Sequence, residues 1–141
     1  MRTFRIYWPA AVVAMIASFL FDAAWFSYFR TQWLAGIGKT MESLQQTGVN
    51  PAIQYGTALL CSFVAAIVLS ICIQATGEQT LRRGIACGAF LWLGFVATSF
   101  AKYYIFEVRP LQLYAINMGD ALIGMVLMGA IVGAWRGKAR G

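Results

Sequence analysis

The sequence predicts an all-α, polytopic integral membrane protein with four transmembrane helices and a short amphipathic surface helix between the first and second. Three observations carry this reading. Hydrophobic residues make up 60% of the chain and charged residues 11%, with a mean hydropathy of +0.68, whereas soluble domains carry about 25% charged residues. The apolar residues gather in four runs, each long enough at about 1.5 Å per residue to cross a hydrocarbon core of about 30 Å. No Ser/Gly/Pro-rich linker, low-complexity tract or long charge run divides the 141 residues, so the chain reads as one four-helix transmembrane domain over 1–141.

The first span is expected at about 9–29. Pro9 is tolerated near a helix start, where its missing N–H would have no intrahelical partner. Arg2 and Arg5 precede this run as in a secretory signal. However, the run has spanning length and contains Asp22, so it reads as a retained helix. Thr31–Asn50 is too polar to span. Its apolar residues Trp33, Leu34, Ile37, Met41 and Leu44 recur near the helical period, which predicts a short surface helix ended near Gly48. The second span, about 51–75, opens on Pro51 and ends at Thr76-Gly77. The third, about 81–106, is closed by Arg109-Pro110, and the fourth runs over about 111–135.

Four spans put both termini on one side. Arg2, Arg5, Arg82, Arg83, Arg136, Lys138 and Arg140 share that side, against Arg30, Lys39, Lys102 and Arg109 on the other. The positive-inside rule then predicts a bacterial inner-membrane protein with both termini cytoplasmic. The net charge of +6 is scattered over helix ends and short loops, which is a topological pattern and no nucleic-acid surface. Trp8 and Trp135 fall at the expected inner boundary. Tyr28, Trp33, Tyr55, Tyr103, Tyr104 and Tyr114 fall near the outer one, as interfacial anchors do.

Gly84 and Gly88 in the third run, and Gly129 and Gly133 in the fourth, are spaced four apart. Such small-xxx-small faces let helices approach closely, either within the bundle or between two copies.

Several chemistries are excluded. Histidine is absent, which removes the usual haem ligand, the usual neutral-pH proton shuttle and the usual base of a hydrolytic triad. Cys61, Cys72 and Cys87 are odd in number and lack Cys-x-x-Cys spacing, so they read as packing residues with no disulfide framework and no metal site. No Ser-centred elbow or phosphate loop appears, and no catalytic residue, cofactor or metal is expected.

The polar residues inside the apolar runs are the chemical signal. Asp22 and Asp120 each lie roughly 4 Å outward of a helix centre, and Lys102 about 10 Å outward. A membrane carboxylate costs about 3 kcal/mol on insertion scales, so it has a partner or a function. Asn117 shares a helix face with Asp120. The expected polar site is therefore Asp22, Lys102, Asn117 and Asp120. One lysine cannot neutralise two carboxylates, so three readings stay open: an internal ion pair, a proton- or cation-responsive site, or exposure to solvent.

Two stretches carry a family resemblance. One is Trp25-Phe26-Ser27-Tyr28-Phe29 followed by Trp33. The other begins at Phe106-Glu107-Val108-Arg109-Pro110-Leu111, continues through Ile116-Asn117-Met118-Gly119 and ends with Met128-Gly129-Ala130-Ile131-Val132-Gly133-Ala134-Trp135. Together they resemble a family of small bacterial four-helix membrane proteins known as domain of unknown function 1761. The resemblance covers nearly the whole chain and implies the four-helix fold and no activity. The chain departs from that family's pattern at Asp22, where many members have Gly, and at Asp120-Ala121, where many have Tyr-His.

The functional expectation is a non-enzymatic membrane protein that binds or conducts a small polar or cationic species through the acidic site. The alternative is an accessory or assembly subunit of a larger membrane complex, with the glycine faces as contact surface. An intramembrane aspartate-dependent hydrolase is a lesser alternative, on Phe21-Asp22 and Asn117-Met118-Gly119-Asp120. The expected partners are the lipid bilayer and a second copy or a larger complex.

Overall fold

The structure, a computed structural model, describes residues 3–137. Its helices are α1 (Trp8–Tyr28), α2 (Arg30–Ile37), α3 (Met41–Gln46), α4 (Pro51–Ala75), α5 (Leu81–Leu91), α6 (Thr98–Phe106) and α7 (Leu111–Ala134). A π-helical turn, Trp92–Ala97, joins α5 to α6, so that Leu81–Phe106 is one rod. Four helices are long and apolar enough to cross a membrane: α1, α4, the α5–α6 rod and α7. Among the described residues there is no strand.

Local chemistry sets the helix limits. Pro9 sits in the first turn of α1, and Pro51 opens α4 beneath Asn50, whose side chain accepts from the Ala52 N–H at 2.9 Å. Thr80 caps α5 by accepting from the Arg83 N–H at 3.2 Å. These side chains satisfy N–H groups that a helix start leaves without partners.

The polar connection between the first two spans is helical, in two pieces instead of one. Gly38 takes the left-handed conformation (φ 68°), which stops α2, and Thr40 then starts α3 through a capping box with Ser43. A glycine adopts that backbone at little cost. α2 lies against the start of α7: a Cβ on Gly36 would come within 2.9 Å of the Leu113 Cβ.

The four spans pack as an antiparallel bundle in which α7 touches α1, α4 and α5. The core lies at the end that holds the chain termini. Ala10, Ala11 and Ala14 of α1, Ala66, Leu69 and Ile73 of α4, and Met128 and Val132 of α7 interlock there, none more than 4% exposed. The small alanines bring α1 close, and the larger side chains fill the remaining space at interior density.

The tightest seam is α5 against α7. Gly84 and Gly129 meet backbone to backbone, a Cβ on Gly133 would lie 2.5 Å from the Thr80 carbonyl oxygen, and one on Gly88 equally close to that of Met125. All four glycines are therefore used inside the bundle. Trp8 and Trp135 are exposed at the terminal end, while Trp33 is half-buried against Phe26.

Candidate functional site

Asp22 and Asp120 reach each other because α1 and α7 run antiparallel in a defined register. At the terminal end the Tyr7 ring meets Trp135 edge-on at 5.8 Å. Toward the other end the Trp25 indole N–H donates to the Ile116 carbonyl at 3.0 Å. Between these ties the register sets Ser18 beside Gly124 and Asp22 beside Asp120. A Cβ on Gly124 would lie 3.4 Å from Ser18 Oγ and 4.0 Å from Asp22 Oδ1. Gly119 leaves room for the Trp25 ring, whose Cζ2 a Cβ would approach to 3.0 Å.

The two carboxyl groups lie within hydrogen-bonding range of each other, and both residues are partly buried. Asp120 Oδ1 is fully buried and has no hydrogen-bond donor. Phe21, Trp25 and Phe29 form a ladder of rings along α1, with centroids 5.6 and 4.7 Å apart, of which Trp25 packs over Gly119 beside Asp120.

Lys102 does not join them. It is exposed on α6 and makes no ion pair among the described residues. The cause is helical phase. Tyr104 is 6% exposed and faces α7, and a residue two positions earlier points about 200° around the helix. The expectation of a four-residue cluster containing Lys102 is corrected accordingly. The ion pair among the described residues is Arg109 with Glu107, in the turn before α7.

Asn117 is turned toward the third span. Its Nδ2 donates to Tyr104 Oη at 2.6 Å. Tyr114 Oη donates to the Ala97 carbonyl at 2.8 Å, its ring meets Tyr104 edge-on at 5.3 Å, and the Arg109 guanidinium lies 5.4 Å from the Tyr104 ring centre. Tyr104, expected as an interfacial anchor, is thus an interior residue, because its hydroxyl finds a partner on α7.

The sequence reading named Trp25 only within the family resemblance, gave it no role in the bundle, and did not name Trp92. The Trp92 indole donates to the Met118 carbonyl at 3.0 Å, so two indoles from different spans hold α7 at carbonyls two residues apart, just before Asp120. A signal was present: a tryptophan well inside an apolar run has an N–H that needs an acceptor. The π turn that carries Trp92 had no such signal. It includes Gly94, whose carbonyl accepts from Thr98 Oγ1 at 2.8 Å, and π turns recur at functional sites.

Two carboxyls at this range repel when both are ionised, and a proton or small cation held between them removes the repulsion. An acid pair with one buried, donor-free oxygen has the chemistry to hold a small positive species.

A family model described as Protein of unknown function (DUF1761) matches residues 9–133, a stretch that includes Asp22, Asn117 and Asp120. No curated protein and no solved structure matches the chain.

Proposed function

We propose, for a chain that belongs to the DUF1761 family of proteins of unknown function, that it is a small membrane protein holding a proton or small cation at the Asp22–Asp120 pair. One observation carries this reading: two acids on separate spans face each other within the membrane, with Asp120 Oδ1 buried and lacking a donor. A carboxylate at that depth is unfavourable by about 3 kcal/mol. The surplus of Lys and Arg on the terminal side supports a bacterial inner-membrane location with both termini cytoplasmic.

The test is proton and cation uptake by the purified protein in detergent. Wild type is expected to take up the species on a change of pH or cation concentration, and the Asp22→Asn/Asp120→Asn double variant to lose that uptake. Equal uptake by both proteins would end the proposal.

The same adjacency favours a second reading, an intramembrane hydrolase, because paired aspartyl carboxyls sharing a proton also activate water in aspartic proteases. Cleavage of a transmembrane peptide by wild type, abolished in Asp120→Asn, would select it. The subunit reading relied on the glycine faces as an outer contact surface. Gly84, Gly88, Gly129 and Gly133 are occupied by one another and by neighbouring backbone, so that reading needs another surface.

A further inference from the structure

We infer that the groove between α4 and the α5–α6 rod seats one anionic phospholipid of the leaflet on the α2–α3 side, with an acyl chain in the groove and the phosphate on Lys102. The groove shares no residue with the Asp22–Asp120 pair, and the inference does not depend on that pair's role.

The groove follows from how the spans are tied. The rod is held to α7 by three hydrogen bonds, from Trp92 to the Met118 carbonyl, from Tyr114 to the Ala97 carbonyl and from Asn117 to the Tyr104 hydroxyl. α4 is tied at its terminal end, where the Gln74 side chain exchanges hydrogen bonds with the Arg5 backbone. It packs on α5 and not on α6, and its residues 51–57 are all exposed. A groove of about 640 Å³ is left between the two spans, floored by Met125 of α7. Cys61, Val64 and Val68 of α4 form one wall, and Phe95 and Val96 of the π turn form the other. Every side chain that lines it is apolar.

Depth and medium select a hydrocarbon chain. Cys61 lies ten residues past the start of α4, and Phe95 eleven before the end of the rod, about 15 and 16 Å in. That is half of a hydrocarbon core of about 30 Å, the depth an acyl chain reaches from its own interface. Val64 and Phe95 are exposed, so the groove is open sideways to the bilayer. Apolar cavities do not hold water, which leaves lipid chains as the medium at that level.

Charge selects the headgroup and the leaflet. Lys102 follows Phe95 by seven residues, and Gln54 precedes Cys61 by seven. Seven residues are about two helical turns, so each stands above the lining face of its own span. Gln54 is three residues inside α4, and Lys102 four inside the rod's end, depths of about 5 and 6 Å. Both are exposed, and Lys102 makes no ion pair among the described residues, whereas Arg109 in the turn beyond is paired with Glu107. A lysine stem carries its ammonium outward to the interface. An uncompensated cation on one wall, an amide on the other and an apolar groove beneath them match the phosphate, esters and chain of one lipid. At the terminal end α4 meets α5, and Cys87 and Leu91 pack against the buried core, so the headgroup belongs on the α2–α3 side.

Native mass spectrometry of the delipidated full chain in mild detergent, titrated with long-chain phosphatidylglycerol, tests the site. Wild type is expected to hold one lipid tightly. Lys102→Gln should weaken it about fivefold, the worth of one cation near an anionic headgroup, and Lys39→Gln should change nothing. Cys61→Trp fills the groove at an exposed position and should remove the tight copy. Val64→Phe fills the same space should Cys61→Trp fail to fold. Dihexanoyl phosphatidylglycerol, with the same headgroup and short chains, should bind at least about tenfold more weakly. Phosphatidylcholine, whose own cation offsets the phosphate, should bind more weakly than phosphatidylglycerol, and soluble glycerol phosphate should not compete. The inference is overturned by equal affinity of wild type and Lys102→Gln, by unchanged binding in the groove-filling variants, or by equal affinity for phosphatidylcholine or the short-chain lipid. A dimer that Cys61→Trp separates would give the groove to a second copy and overturn it as well.

Discussion

Gly84 and Gly129 touch through their backbones, each occupying the space in which the other's side chain would stand. Replacing either with leucine is therefore expected to destabilise the bundle by at least about 1–3 kcal/mol. Gly56 of α4 has nothing within 4 Å of a Cβ. Alanine there is expected to be neutral or to stabilise by about 0.5–1 kcal/mol through helix propensity. Thermal unfolding in detergent compares the two; equal effects at Gly84 and Gly56 would contradict the close seam.

Trp25 ties α1 to α7 by one hydrogen bond and by its ring over Gly119. Trp25→Phe keeps most of the ring contact and removes the bond, with an expected loss of about 0.5–1.5 kcal/mol. Trp25→Ala removes both and is expected to cost about 3–5 kcal/mol. Denaturant titration of the detergent-solubilised protein measures the difference.

Asp22 and Asp120 are expected to be energetically coupled, and Lys102 to be independent of both. A double-mutant cycle of Asp22→Asn and Asp120→Asn should give a coupling of about 0.5–3 kcal/mol, as contacting residues do. Lys102→Ala is exposed and unpaired, so it should change stability by less than about 0.5 kcal/mol and add to either aspartate variant without coupling. Strong coupling of Lys102 to Asp120 would restore the ion-pair reading.

The expected topology places the termini in the cytoplasm and the α2–α3 connection in the periplasm. Reporter fusions after Gly141 and near Gln46 read this directly. A periplasm-active signal from the fusion after Gly141 would reverse the orientation while leaving the bundle geometry unchanged.

The four spans were legible in the sequence to within a residue or so. Spanning is a one-dimensional property: a continuous apolar run either reaches across the hydrocarbon or does not, and Pro51, Thr80 and the Arg109-Pro110 turn mark its limits locally. The break at Gly38 was less legible, since α2 and α3 share one continuous apolar period, and the left-handed glycine and the Thr40 cap that separate them interrupt no apolar position.

Depth along a helix also comes from the sequence, and it placed Asp22 and Asp120 at one level. Rotation about the helix axis does not, because it depends on which neighbour each face meets. That is why Lys102, at a plausible depth, turns outward when Tyr104 turns in, and why Asn117 serves Tyr104 while Asp120, three residues on, serves Asp22. The glycine spacings announced close approach without naming the partner. Only the packed bundle decided that Gly84 meets Gly129, which in turn brings α7 into position for α1 to set its one acid against the other.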